Sequence, residues 1–163
     1  METGKTPSTA ALLARHTREV FYGGNWTWVN LRDTLQGISF ETAVTKVKEG
    51  NSIALLLYHI CYYVTIQRKV LKGFPLEGTD KDSFNMPEIH TQAEWEQLQN
   101  RVWSEVDEYI SLVEQLPDSR LSEIFVLEKY GSWHRNILGL IEHTHYHLGQ
   151  IVLLKKWLED KKG

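Results

Sequence analysis

Residues 136–151 read NILGLIEHTHYHLGQI, and the spacing of apolar side chains in this stretch sets the fold class. Carried on to Leu158, the positions Leu140, His143 and Thr144, His147, Ile151, Leu154 and Leu158 recur at steps of three and four. That spacing keeps side chains on one face of an α-helix. Strand-like alternation is almost absent elsewhere, and punctuation is sparse, with 11 Gly and 4 Pro in 163 residues. The chain is expected to be all-α.

Working outward, the last helix should run from about His134 to Leu158 and end in a solvated tail, Glu159-Asp160-Lys161-Lys162-Gly163. Upstream, Thr91-Gln92-Ala93-Glu94 is a capping box that opens a helix ending before Pro117. A short helical turn around Asp118 to Ser122 and a linking stretch, Ile124 to Trp133, follow it. Another long helix lies between Gly50 and Gly73, with Asn51 or Ser52 as its N-cap. The first spans about Ser8 to Tyr22, between Thr6-Pro7-Ser8 and Gly23-Gly24. Asn25 to Glu49 is less regular, with short helices expected around Thr27 to Leu35 and Phe40 to Val47. Residues 74–90, FPLEGTDKDSFNMPEIH, read as a surface loop, longer than a compact domain needs and hence expected near a site. These elements give a four-helix bundle with a crossover connection and short accessory helices, in one domain over residues 1–163.

Composition excludes several classes of function. Hydrophobic residues make up 42% and charged residues 24%, a globular balance. The net charge of −3, with no long block of one sign, argues against a nucleic-acid partner. Cys61 is the only cysteine, so neither an intramolecular disulfide nor a thiolate metal site is available. No apolar run approaches the roughly 20 residues of a membrane span; the most hydrophobic stretch, Ile53 to Val64, contains His59 and several tyrosines. The first fifteen residues lack a secretory apolar region, which makes the cytoplasm the expected location. Gly4-Lys5-Thr6 starts too early in the chain to close a phosphate-binding loop, and the sequon Asn25-Trp26-Thr27 has no secretory signal to give it meaning.

The chain has seven histidines. His143 and His147 lie within the apolar seam of the last helix, about 40° apart around an axis that turns roughly 100° per residue, so both imidazoles can converge on one ion. Gln150 follows His147 by three and stays near that face. On the helix after Gly50, the stripe Ser52, Leu55/Leu56, His59, Tyr62/Tyr63, Ile66, Val70 holds one strongly polar residue near its middle, His59. Three neutral imidazoles suit a divalent transition metal if the two helices are neighbours. Hydrogen-bonded core histidines fit the same spacing, although the mostly apolar seam offers them few buried partners. His145 is about 200° from His143 and on another face. His134, His90 and His16 read as structural or solvated. A di-iron site would need Glu-x-x-His on two helices, and only Glu142-x-x-His145 occurs, directed away from the seam. H-E-x-x-H is absent. Cys61 lies off the face of His59 and reads as a small buried residue.

The 136–151 segment resembles the last-helix signature of the DinB-like (YfiT-like) metalloenzyme superfamily, in which His-x-x-x-His is followed by a Gly/Ala-Gln pair, here Gly149-Gln150. Ser52 to Ile60, SIALLLYHI, resembles the segment carrying that family's first ligand, and the likeness extends to the order of all four helices. It implies a four-helix bundle with a crossover, a divalent metal, commonly zinc or nickel, on His59, His143 and His147, and a homodimer. Characterised relatives include thiol-dependent transferases and isomerases that use bacillithiol or mycothiol. The expected protein is thus a metal-dependent enzyme acting on a small molecule, in its sharpest form an S-transferase with a low-molecular-weight thiol as cosubstrate. A metal-dependent hydrolase and a non-catalytic, stress-associated metal-binding dimer are the alternatives. An open metal position could lower the pKa of a thiol or of water. By helix phase Tyr62, Tyr63 and Gln150 are candidates for supporting the metal or contacting substrate, and no inward carboxylate stands out as a general base.

Overall fold

The computed structural model describes residues 6–160. Gly4 and Lys5 of the phosphate-loop-like string, and Lys161 to Gly163 of the expected tail, lie outside the described residues. The α-helices are α1 Thr9–Tyr22, α2 Leu31–Leu35, α3 Phe40–Val44, α4 Ile53–Leu71, α5 Gln92–Glu114 and α6 Trp133–Asp160. Three 3-10 turns, Asp80–Phe84, Asp118–Ser122 and Glu128–Tyr130, punctuate the connections. No described helix is long and apolar enough to cross a membrane.

Local chemistry marks the helix starts. Ser8 Oγ accepts the Ala11 N–H at 3.1 Å and Ser52 Oγ accepts that of Leu55 at 3.2 Å. The capping box closes both ways: Thr91 Oγ1 accepts from Glu94 N, and Glu94 Oε2 accepts from Thr91 N. The start of α1 is also tied to the turn after α5, because the Asp118 carboxylate accepts the N–H groups of Thr9 and Ala10 at 2.9 Å each. These bonds to the ionised form hold the Asp118 carboxyl below the usual carboxylate range.

The four long helices close a ring in which α5 packs on α1 and α4, and α6 packs on α4 and α1. Chain order therefore crosses the bundle diagonally from α1 to α4 and again from α5 to α6. The first crossing carries α2, which braces α1 and α6, and α3, which braces α4 and α5. Asn25 is buried at the start of that crossing. Its amide donates to the carbonyls of Glu19 and Val29 and its Oδ1 accepts from the backbone and hydroxyl of Thr27, so the sequon asparagine is consumed by its own turn.

Three expectations need correction. Both accessory helices are shorter than their pattern, since the stretch up to Asn30 forms a turn and Val44 ends α3. The 74–90 connection is not wholly a surface loop, because Asp80–Phe84 folds into a 3-10 turn and buries Ser83. Most important, the core face of α4 is Ile53, Leu57, Ile60, Val64 and Gln67, with His59 on its flank. Leu55, Tyr62, Tyr63, Ile66 and Val70, which the sequence stripe placed inward, are only half-buried. The helix is apolar on most of its circumference, so periodicity gave no clear phase.

A buried polar chain links three helices. The Tyr109 hydroxyl on α5 is fully buried and donates to Gln67 Oε1 on α4 at 2.9 Å, while Gln67 Nε2 donates to the Asn136 carbonyl on α6 at 2.9 Å. Replacing Gln67 with Leu strands the Tyr109 hydroxyl and should cost about 1–3 kcal/mol. The double change Gln67→Leu/Tyr109→Phe removes the stranded group and should recover part of that loss. Urea denaturation would show this as a midpoint that falls and then partly returns at constant slope.

Candidate metal centre

Because α4 packs directly on α6, His59 is brought against His143 and His147, which lie one turn apart on α6. The ring nitrogens of all three come within 4.8 Å of one another. His143 Nε2 lies 2.9 Å from His59 Nε2 and 3.1 Å from His147 Nε2. His59 and His147 are buried and His143 is half-buried.

The outer nitrogens fix the protons. Ser83 Oγ donates to the Asp80 carbonyl at 2.5 Å, so towards His59 Nδ1, 2.7 Å away, the same oxygen is an acceptor. His59 therefore carries its proton on Nδ1 and turns an Nε2 lone pair inward. His147 Nδ1 likewise donates to Gln150 Oε1 at 2.7 Å and leaves its Nε2 lone pair facing the same point. His143 Nδ1 is buried without a protein partner, whichever of its nitrogens is protonated.

This donor set fits a divalent transition metal. Bonds of 2.0–2.1 Å in tetrahedral geometry put ligand nitrogens about 3.3–3.4 Å apart, and the two short edges of 2.9 and 3.1 Å need open only by tenths of an ångström. Burial, then the neighbouring His147 and His59, push the His143 imidazole down to about 4. Burial and His147 also lower His59, against the opposing pull of Asp80 and Ser83. Both are neutral near pH 7, the form a metal requires. No further histidine, cysteine or carboxylate among the described residues joins the cluster.

An aromatic layer holds the imidazoles in place. Phe84 stacks on His59 with ring centres 4.4 Å apart. Tyr63 meets His59 and His143 edge-on at 5.2 and 4.7 Å, and Tyr146 does the same to His147 at 4.9 Å. The Asp80–Phe84 turn is buttoned to α4 at three points. His59 holds Ser83, Tyr63 donates to Asp80 Oδ1 at 2.5 Å, and Tyr62 donates to the Thr79 carbonyl at 2.9 Å. Gly78 lets the chain pass: its φ is +114°, and a Cβ there would lie 2.2 Å from the Tyr62 hydroxyl.

The structure brings His59, His143 and His147 together, as the sequence reading expects, and sets Gln150 beside His147. Tyr63 touches two of the three rings. Tyr62 touches none of them, and serves the turn. Ser83, Asp80 and Phe84 were missed, and the unusual length of the 74–90 connection was the only signal pointing to them. His145 packs near His16 of α1, ring centres 6.4 Å apart, and burial followed by His16 lowers its pKa. His16 thus meets His145 and not the three-histidine cluster. Glu142 is outside the seam, as expected, but with Arg135 it lines a cleft of about 380 Å³ that includes His143.

Compared with known proteins, residues 25–151 match the DinB superfamily. No curated protein and no solved structure matches the chain.

For any divalent ion held by the three Nε2 atoms, losing the partner that fixes a ligand's proton should weaken binding on the order of 10–100-fold. Ser83→Ala and Gln150→Leu should each show that loss in a zinc competition titration against a chromophoric chelator. An unchanged affinity in both would mean that these partners do not set the ligand tautomers.

Proposed function

The chain belongs to the DinB superfamily, and from that premise we propose that it is a metal-dependent enzyme whose ion, zinc or nickel, is held by His59, His143 and His147. The observation that carries this reading is the convergence of the Nε2 atoms, with two of the three lone pairs turned inward by fixed outer hydrogen bonds. The ion would act as a Lewis acid, lowering the pKa of a thiol or water that reaches it. The protein's own groups do the rest. Ser83 and Gln150 keep the imidazoles in one tautomer, and Phe84, Tyr63 and Tyr146 shield the rings. His143 opens onto the cleft through which a small molecule arrives.

Within this reading the reaction is transfer of a low-molecular-weight thiol to an electrophilic small molecule, carried out by a homodimer. Three protein donors support catalysis over a purely structural ion, because structural zinc sites usually fill four places with protein ligands. Hydrolysis by an activated water is the second outcome of the same chemistry.

Protein purified without an affinity tag should contain close to one equivalent of transition metal, and His147→Ala should contain almost none. Equal, negligible metal in both preparations would defeat the metal reading. Metal-loaded protein given bacillithiol, mycothiol, glutathione or cysteine with a generic electrophile should be active with one of them and inactive as His59→Ala. Metal at full occupancy with silence across the panel moves the assignment to hydrolysis or to a non-catalytic metal-binding dimer. Sedimentation should give twice the chain mass.

A further inference from the structure

The cleft that ends at His143 lies between α4 and α6, with Tyr63 and Gln67 on one side and Arg135, Asn136, Gly139 and Glu142 on the other. The α6 residues follow one another along a single helix shoulder at steps of four and three. Gly139 sits midway, and a Cβ placed on it would meet nothing within 4 Å. The groove is therefore open at its middle. Its volume of about 380 Å³ falls in the range of small-molecule sites.

Its charges are unevenly placed. Arg135 spends one N–H, from Nη1, on the Tyr130 carbonyl at 2.9 Å. Among the described residues no carboxylate pairs with it, although six other basic side chains, at 15, 68, 72, 101, 120 and 155, do form pairs with a Glu. The remaining guanidinium donors can take an anion in two-pronged fashion. At the other end Glu142 stands next to His143 and disfavours a ligand carboxylate there. Gln67 adds no free polar group, since both ends of its amide are committed to Tyr109 and Asn136.

We propose that this cleft binds an anionic thiol lengthwise, with its sulfur at the His143 end and its carboxylate on Arg135. The proposal rests on the thiol reading above. Eight residues of helix separate Arg135 from His143, roughly 12 Å along the axis, which is about the reach of three extended residues. The ligand is then of about tripeptide length, and a two-carbon thiol cannot touch both ends.

The test uses full-length protein loaded with Co²⁺, whose thiolate-to-cobalt absorption reports sulfur binding without any turnover. Glutathione, its diethyl ester and 2-mercaptoethanol serve as probes: the first two share length and sulfur and differ in carboxylate charge. Glutathione should bind about tenfold more tightly than the ester. Arg135→Gln should bring that ratio close to one, and Arg135→Lys should keep part of it. Gly139→Phe, which fills the groove from an open helix position, should weaken glutathione more than 2-mercaptoethanol. Equal affinity for glutathione and ester, or a ratio unmoved by Arg135→Gln, overturns the cleft proposal while the sulfur band leaves the thiol reading standing. Bound cobalt with no sulfur band for any probe overturns the thiol reading and the proposal together. Failure to bind cobalt through the three histidines removes the metal reading on which both depend.

Discussion

Two ring protons held on the outer sides of His59 and His147 determine what the α4–α6 contact can contain. With Ser83 and Gln150 taking those protons, two lone pairs face His143 Nε2 at 2.9 and 3.1 Å. Opposed lone pairs in a buried, weakly polar site repel unless something positive lies between them. A single N–H on His143 can bridge them only by shared, bent hydrogen bonds. A cation satisfies all three nitrogens at once. The packing of α4 on α6, the aromatic layer around the rings and the clasp of the Asp80–Phe84 turn all serve to hold that arrangement, and none of them has a comparable polar demand of its own.

The parts of this site carried by one helix were legible in the sequence. His143, His147 and Gln150 share α6, where residue spacing alone fixes relative direction. His59 was legible as the one strongly polar residue within an apolar stretch, but its meeting with the pair depends on α4 and α6 being neighbours, which is a property of the whole bundle. Ser83 had no such signal. A 3-10 turn lying between Pro75 and Pro87 has no periodicity to read, and a serine there looks like any turn former. The phase of α4 failed for the opposite reason, because a helix with apolar residues on nearly every side gives its core no distinguishing stripe. Its inward polar residue, Gln67, is recognisable only through Tyr109 and Asn136 on two other helices.

The clasp has a chain-level logic. A segment crossing from α4 to α5 has to lie over the outer flank of α4, and there the helix offers His59, Tyr62 and Tyr63, which point along one shoulder at steps of three and four. Each takes a different group from the turn: a hydroxyl, a carbonyl and a carboxylate. The turn's own capping box, Thr79 with Asp82, closes it internally. What the sequence shows as a long and irregular connection is therefore an ordered part of the centre, tightened by Gly78, where the backbone passes too close to Tyr62 for any side chain.

The lone cysteine completes the argument about sulfur. Cys61 follows His59 by two residues, about 200° around α4, and is buried against the α5 side, where it borders a separate cavity with Thr65 and Arg101. Burial, and secondarily Glu105, push its thiol up to about 11, so it stays protonated and unreactive at neutral pH. It can neither reach the imidazoles nor act as a nucleophile beside them. On the thiol reading proposed above, the sulfur would come from a small molecule, and the groove along α6, with Arg135 at one end and His143 at the other, is its proposed path.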